Sequence, residues 1–272
     1  MSRIEHIAQK AAAAKRKLLI PYLVAGDPNL DTTSALMHKL VEQGADIIEL
    51  GIPFSDPSSD GPVIQRGVER SLSKGTTLKQ VLELVAQFRQ TDAQTGIVLM
   101  GYLNPIEIMT YKTFVDTASS VGVDGVLIVD LPPAEAHDLH AMLRESEIDT
   151  IFLVAPTTRD DRVADITALC SGYLYYVSLK GVTGAALTDF ESVTANISNL
   201  RERTKLPIVI GFGIKDASSA GAMGQLADGV IIGSALVEKI ALLADQIEQG
   251  PAVLGETTQV IAQAREALDK LV

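Results

Sequence analysis

Short apolar runs alternate with longer amphipathic segments along the whole chain. The apolar runs are Leu18–Val24, Ile47–Leu50, Ile97–Met100, Val126–Val129, Ile151–Val154, Leu174–Val177, Ile208–Ile210 and Val230–Ile232. Each is nearly continuous, and most are bounded by Gly, Pro or Asp, as parallel strands buried on both faces are. The intervening segments have helical spacing. Thr77 can cap a helix with Leu78, Val81, Leu82, Val85 and Phe88 on one face. Asp31 or Thr32 opens another, with Leu36, Met37, Leu40 and Val41 inward and Gly44 at its end. Pro133 suits the first turn of a third, with Ala136, Leu139 and Leu143 on one face.

Eight such runs alternating with helices predict a (β/α)8 TIM barrel, one domain over residues 1–272. The rival is a doubly wound open sheet, but no Gly-x-Gly-x-x-Gly turn follows the first strand. Ile4–Ala14 reads as an extra N-terminal helix covering the barrel bottom. A weak repeat of helix end, Asp and apolar strand recurs at Asp46, Asp124 and Asp228. It puts these acids at the N-terminal face of strands 2, 4 and 8, where residues serve stability rather than catalysis. Two connections are long: Phe54–Asp60 with helices Pro62–Ser73 and Thr77–Gln90, and Ser178–Asp189 after strand 6. Long βα loops carry lids and chemistry.

Composition narrows the function. Apolar residues are 47% of 272, yet no run reaches the length of a membrane span. The N-terminus lacks the apolar core of a signal peptide, and the single cysteine, Cys170, permits no intrachain disulfide. Both fit a cytoplasmic protein. The net charge of −11, with no basic cluster beyond Lys15-Arg16-Lys17, argues against nucleic acid. It also means that a bound phosphate is held locally, by amides and helix ends.

The candidate chemistry lies after the strands. Strand 7 ends in Gly211-Phe212-Gly213-Ile214 and strand 8 in Gly233-Ser234-Ala235, the two places where barrels often bind phosphate. Tight turns alone would also explain these glycines. Glu49 lies near the end of strand 2 on the face of Ile47, between Ile48 and Leu50. A poorly solvated carboxyl has a raised pKa and suits a group that gives and takes a proton. The alternative is an ion pair with Arg66 or Arg70. Asp60, in Asp-Gly-Pro, reads on spacing as a helix cap. Asp27 and Asp130 are explained by turn chemistry. All four histidines fall on predicted helices, and no His/Cys/Asp cluster has metal-ligand spacing. Lys180 could form an imine, although its Gly-rich loop suits a solvated or lid residue, and Thr183 is a turn or lid residue.

Taken together, Glu49–Pro57, Asp60–Gln65, Ser178, Gly181–Ala185 and the endings of strands 7 and 8 resemble the alpha subunit of tryptophan synthase, over essentially the full length. The resemblance implies retro-aldol cleavage of indole-3-glycerol phosphate to indole and glyceraldehyde 3-phosphate. It implies Glu49 as acid–base and Asp60 as acceptor of the indole N–H. It further implies phosphate held by Gly184, Gly213, Gly233 and Ser234, an indole slot of Tyr22, Leu127, Tyr175 and Phe212, and closure by Thr183. A beta subunit is implied as partner in an alpha2beta2 heterotetramer, with Asp56, Pro57 and Asn104 in the contact region. Pyridoxal phosphate belongs to that partner, leaving no cofactor or metal in this chain. Ser58 and Ser59 depart from the apolar residue and Ala that family members often carry, making the loop more polar. Two alternatives stand beside this lyase: a non-catalytic activating subunit of the same complex, and another phosphosugar barrel enzyme, an isomerase or imine-forming aldolase.

Overall fold

A computed structural model describes residues 1–177, 190–211, 213–244 and 251–271. Eight parallel strands close into a barrel in sequence order. They are β1 Leu18–Val24, β2 Ile47–Gly51, β3 Gly96–Gly101, β4 Gly125–Ile128, β5 Asp149–Val154, β6 Leu174–Val177, β7 Ile208–Gly211 and β8 Gly229–Ile232. Closure is the pairing of β1 with β8, Leu18 opposite Gly229. Helices surround the barrel: α1 Arg3–Ala13, α2 Leu30–Glu42, α3 Pro62–Ser73, α4 Leu78–Arg89, α5 Leu103–Met109, α6 Tyr111–Val121, α7 His137–Glu145, α8 Asp160–Leu169, α9 Phe190–Arg203, α10 Ala217–Leu226, α11 Ser234–Ala241, α12 Pro251–Thr257 and α13 Gln259–Asp269. Among the described residues no helix is long and apolar enough to cross a membrane.

The strands are buried on both faces, so two apolar clusters form. Leu19, Leu23, Ile48, Leu50, Ile97 and Leu99 pack outward against the helices. Leu18, Ile20, Tyr22, Val24, Ile47, Val98, Leu127, Ile151, Tyr173, Tyr175, Val209 and Ile231 fill the barrel. Ile4 of α1 joins this inner cluster at the bottom, where a side chain at Gly125 would crowd Ile4 and Ile151. The N-terminal helix is therefore a plug. Without it the inner apolar layer would meet water.

The helix starts follow local chemistry. Thr77 makes a full capping box with Gln80 ahead of α4. The start of α2 differs from expectation: Asn29 caps it, accepting from the Thr32 N–H. Asp31 instead sits in the first turn, where its charge complements the helix dipole. Pro133 opens a short 3-10 turn, Pro133–Glu135, that leads into α7.

The bottom acids do what the repeat predicts. Asp46 accepts the Leu19 N–H at 2.9 Å, Asp124 the Ile97 N–H at 2.7 Å, and Asp228 the Ile208 N–H at 2.9 Å. Each thus clips the start of its own strand to the strand before it. Between β5 and β6 the Ser171 hydroxyl takes the same part, accepting the Thr150 N–H at 2.9 Å. Arginines neutralise the acids: Arg16 and Arg265 at Asp46, Arg3 and Arg89 at Asp124, Arg201 at Asp228.

Candidate active site

Glu49 is the middle residue of β2 and is completely buried. Alternation turns it inward with Ile47, and its partner is on the opposite side of the ring. The Tyr173 hydroxyl, just ahead of β6, donates to Glu49 Oε1 at 2.5 Å. Oε2 is buried with no hydrogen-bond partner among the described residues. Burial raises the carboxyl to about 7, against the opposing effect of the Tyr173 hydrogen bond. Near neutral pH both protonation states are therefore populated, and one oxygen has hydrogen-bonding capacity that no described residue uses. The suggested ion pair with Arg66 or Arg70 is not formed. Arg70 grips Asp27 through two bonds of 2.8 Å, and Arg66 is exposed.

Asp60 is not a helix cap. Pro62 takes the first turn of α3, so Gly61 becomes the cap residue, with no side-chain capping bond. This shifts Asp60 one place outside the helix and frees its carboxylate, which accepts from the Tyr102 hydroxyl at 3.1 Å. Burial raises its pKa and the Tyr102 bond lowers it. Gln65 ties the loop from below, donating to the Asp60 carbonyl at 2.8 Å. Asp27 and Asp130 also do more than shape turns. Asp27 is fully buried against Arg70, and Asp130 accepts the Leu103 N–H at the start of α5 at 2.8 Å.

Tyr22 and Tyr175 are buried inner-layer residues, and both Glu49 and Asp60 act electrostatically on each of them. The two carboxylates and the two phenols thus lie near one another toward the barrel mouth. Each tyrosine also repeats one packing rule. Tyr22 is in register with Glu49 and its ring lies over Gly51, two residues further along β2. Tyr175 is in register with Val209 and lies over Gly211, two residues further along β7. A side chain at either glycine would overlap the phenol. Gly211, part of the turn read from sequence as a phosphate site, also makes room for Tyr175. Leu127 of β4 belongs to the same inner layer.

Gly213 follows β7 with φ +75, a conformation that favours glycine, and is exposed. Gly233 is the residue before α11, and Ser234 opens that helix with its side chain exposed. The ends of β7 and β8 are neighbours in the barrel, so both turns open on one side of the mouth. On the other side, Asp56 and Asn104 are exposed and Pro57 is half-buried. Ser178, Lys180, Gly181, Thr183, Gly184, Ala185 and Phe212 lie outside the described residues.

This barrel, with its buried glutamate on β2 and paired turns after β7 and β8, can be set against known proteins. The family model for tryptophan synthase alpha chain matches residues 8–266. The chain belongs to the tryptophan synthase alpha chain family. A tryptophan synthase alpha chain of Marinobacter nauticus is 51% identical over 272 residues, covering 100% of this chain and 99% of that one. One of Thioalkalivibrio sulfidiphilus is 52% identical, covering 99% and 100%. The crystal structure of the alpha subunit from Legionella pneumophila superposes with a TM-score of 0.92 at 40% identity, over 99% of each chain.

Two tyrosines of this tryptophan synthase alpha chain family member escaped the sequence reading. Tyr173 lies two residues before Tyr175, so alternation would have turned it inward, toward the barrel axis. Tyr102 follows β3 and ends up 4% exposed, its ring tilted against Phe54 with centroids 5.3 Å apart. Nothing in its local sequence points to Asp60.

Proposed function

We propose that Glu49 is the acid–base residue of a retro-aldol cleavage at the barrel mouth. The chain is a lyase of tryptophan biosynthesis that cleaves indole-3-glycerol phosphate to indole and glyceraldehyde 3-phosphate. The bond to break joins indole C3 to the carbinol carbon. A proton delivered to C3 converts the indole to an indolenine whose C=N can accept electrons. Removal of the carbinol O–H proton then forms the aldehyde, the C–C bond electrons return to the ring, and indole leaves. One group that both gives and takes a proton needs a pKa near the working pH. The observation that carries this reading is Glu49 itself: fully buried, raised to about 7, with Oε1 held by Tyr173 and Oε2 without a partner among the described residues.

Asp60 accepts the indole N–H and stabilises the positive charge that develops on nitrogen. Tyr22, Leu127, Tyr175 and Phe212 line the indole slot. Gly184, Gly213, Gly233 and Ser234 hold the phosphate through amides and the start of α11, as an acidic chain must. Thr183 closes over Asp60. Asp56, Pro57 and Asn104 face a beta subunit in an alpha2beta2 heterotetramer. Asn104 and the 80% exposed Ile108 are one turn apart on α5, an apolar and polar pair on one side of the helix. Pyridoxal phosphate resides in that partner, and the complex works in the cytoplasm.

Steady-state cleavage of indole-3-glycerol phosphate, alone and with a beta subunit, tests the reading. Weak activity alone and a large rise with the partner are expected. Glu49→Gln should lose at least about 10²-fold in kcat while substrate still binds. Full activity in that variant overturns the assignment of Glu49.

A further inference from the structure

We propose that Tyr102 is a positioning residue for Asp60, acting through its hydroxyl. The inference rests on the reading of Asp60 as the acceptor of the indole N–H. A phenol has one proton to donate and lone pairs to accept. Tyr102 uses both functions on adjacent residues of one loop: its oxygen accepts the Ser59 N–H at 2.9 Å, and its proton goes to Asp60 Oδ2 at 3.1 Å. That loop is otherwise rich in exposed polar residues, with Ser55, Asp56, Ser58 and Ser59 all facing solvent. The ring that carries the hydroxyl is rooted differently. It is buried, tilted against Phe54, and stands between β3 and α5, where Asp130 holds the neighbouring Leu103 N–H.

The consequence is an acceptor with a fixed direction. One hydroxyl sets the backbone at Ser59 and the carboxylate at Asp60 together, so the peptide and the side chain cannot drift separately. The bond engages one carboxylate oxygen and leaves the other able to accept an N–H. It also favours the ionised form of Asp60, the form that can accept. Positioning of this kind acts on the rate of the chemical step more than on ground-state binding.

The test is a double-mutant cycle in the full chain with its beta subunit, using Tyr102→Phe, Asp60→Asn and the double variant. Single-turnover cleavage with enzyme in excess keeps slow variants measurable. Tyr102→Phe keeps the ring and should keep the melting temperature. It should lower kcat about 10-fold, with KM changed by less than about 3-fold. In the Asp60→Asn background the same substitution should have little further effect, because the group it acts through is gone. An equal loss in both backgrounds means that Tyr102 acts through packing, and overturns the proposal. So does unchanged kcat in Tyr102→Phe beside a slow Asp60→Asn. If Asp60→Asn is itself fully active, the reading of Asp60 fails and this proposal falls with it, a result that the cycle tells apart from the other two.

Discussion

Both ends of the barrel bury carboxylates, and they are treated in opposite ways. At the bottom, Asp46, Asp124 and Asp228 each accept a backbone N–H and each face at least one arginine. At the mouth, Glu49 and Asp60 have phenols for partners, and Glu49 keeps one oxygen without a partner among the described residues. A guanidinium opposes burial with both charge and hydrogen bonds, although Asp27 and Asp124 remain raised; a phenol opposes it with a hydrogen bond alone. Asp27 sharpens the contrast, because it lies at the mouth yet is gripped by Arg70. The partner, more than the end of the barrel, separates an acid that builds the fold from one free to react.

Substitutions on the two sides should behave accordingly. The largest effect belongs to the bottom. Asp124→Ala leaves Arg3 and the largely buried Arg89 without their shared acid and should cost about 3–5 kcal/mol in urea unfolding. Turnover per folded molecule should not change; a loss of turnover at unchanged stability would break the comparison. Glu49→Gln should do the reverse at the mouth. The folded carboxyl titrates at about 7 against an ordinary value of 4.5, so between these values the native state holds a proton that the unfolded chain has lost. Stability therefore falls as pH rises through this window, and the cost is complete above it. The glutamine variant escapes that cost. It should be more stable than the parent by about 3 kcal/mol at about pH 8, with the difference shrinking toward about pH 5. A gap that is constant with pH would count against the buried titration. The smallest effect is expected for Ser59→Ala. The Ser59 side chain is exposed and its backbone N–H, not its hydroxyl, meets Tyr102, so the free energy of unfolding in urea should move by no more than about 0.5 kcal/mol and kcat should hold.

The fold was legible because parallel strands buried on both faces leave unbroken apolar runs, and because Thr77 and Pro62 mark helix starts. Glu49 was legible as an acid among apolar neighbours, and alternation gave its direction. Its partner was harder, since Tyr173 lies 124 residues away and meets it only once the ring closes. Asp60 was misread on spacing because Asp is a good cap, although Pro62 already implied that Gly61 takes that position. The bond from Tyr102 joins loops 42 residues apart, and no local signal announces such a contact. The glycines ending strand 7 were legible as marking a special turn, but not that Gly211 also makes room for Tyr175, as Gly51 does for Tyr22.

The bottom clips have a consequence for how the chain assembles. They join β1 to β2, β3 to β4, β5 to β6 and β7 to β8, across only 27, 27, 21 and 20 residues. Closing the ring through Leu18 and Gly229 requires the two ends of the chain to meet. Contacts close in sequence lose less loop entropy and form sooner. Each clip therefore adds a bond at small loop cost within one pair of strands. The β1–β8 seam is the costly join, because it spans nearly the whole chain.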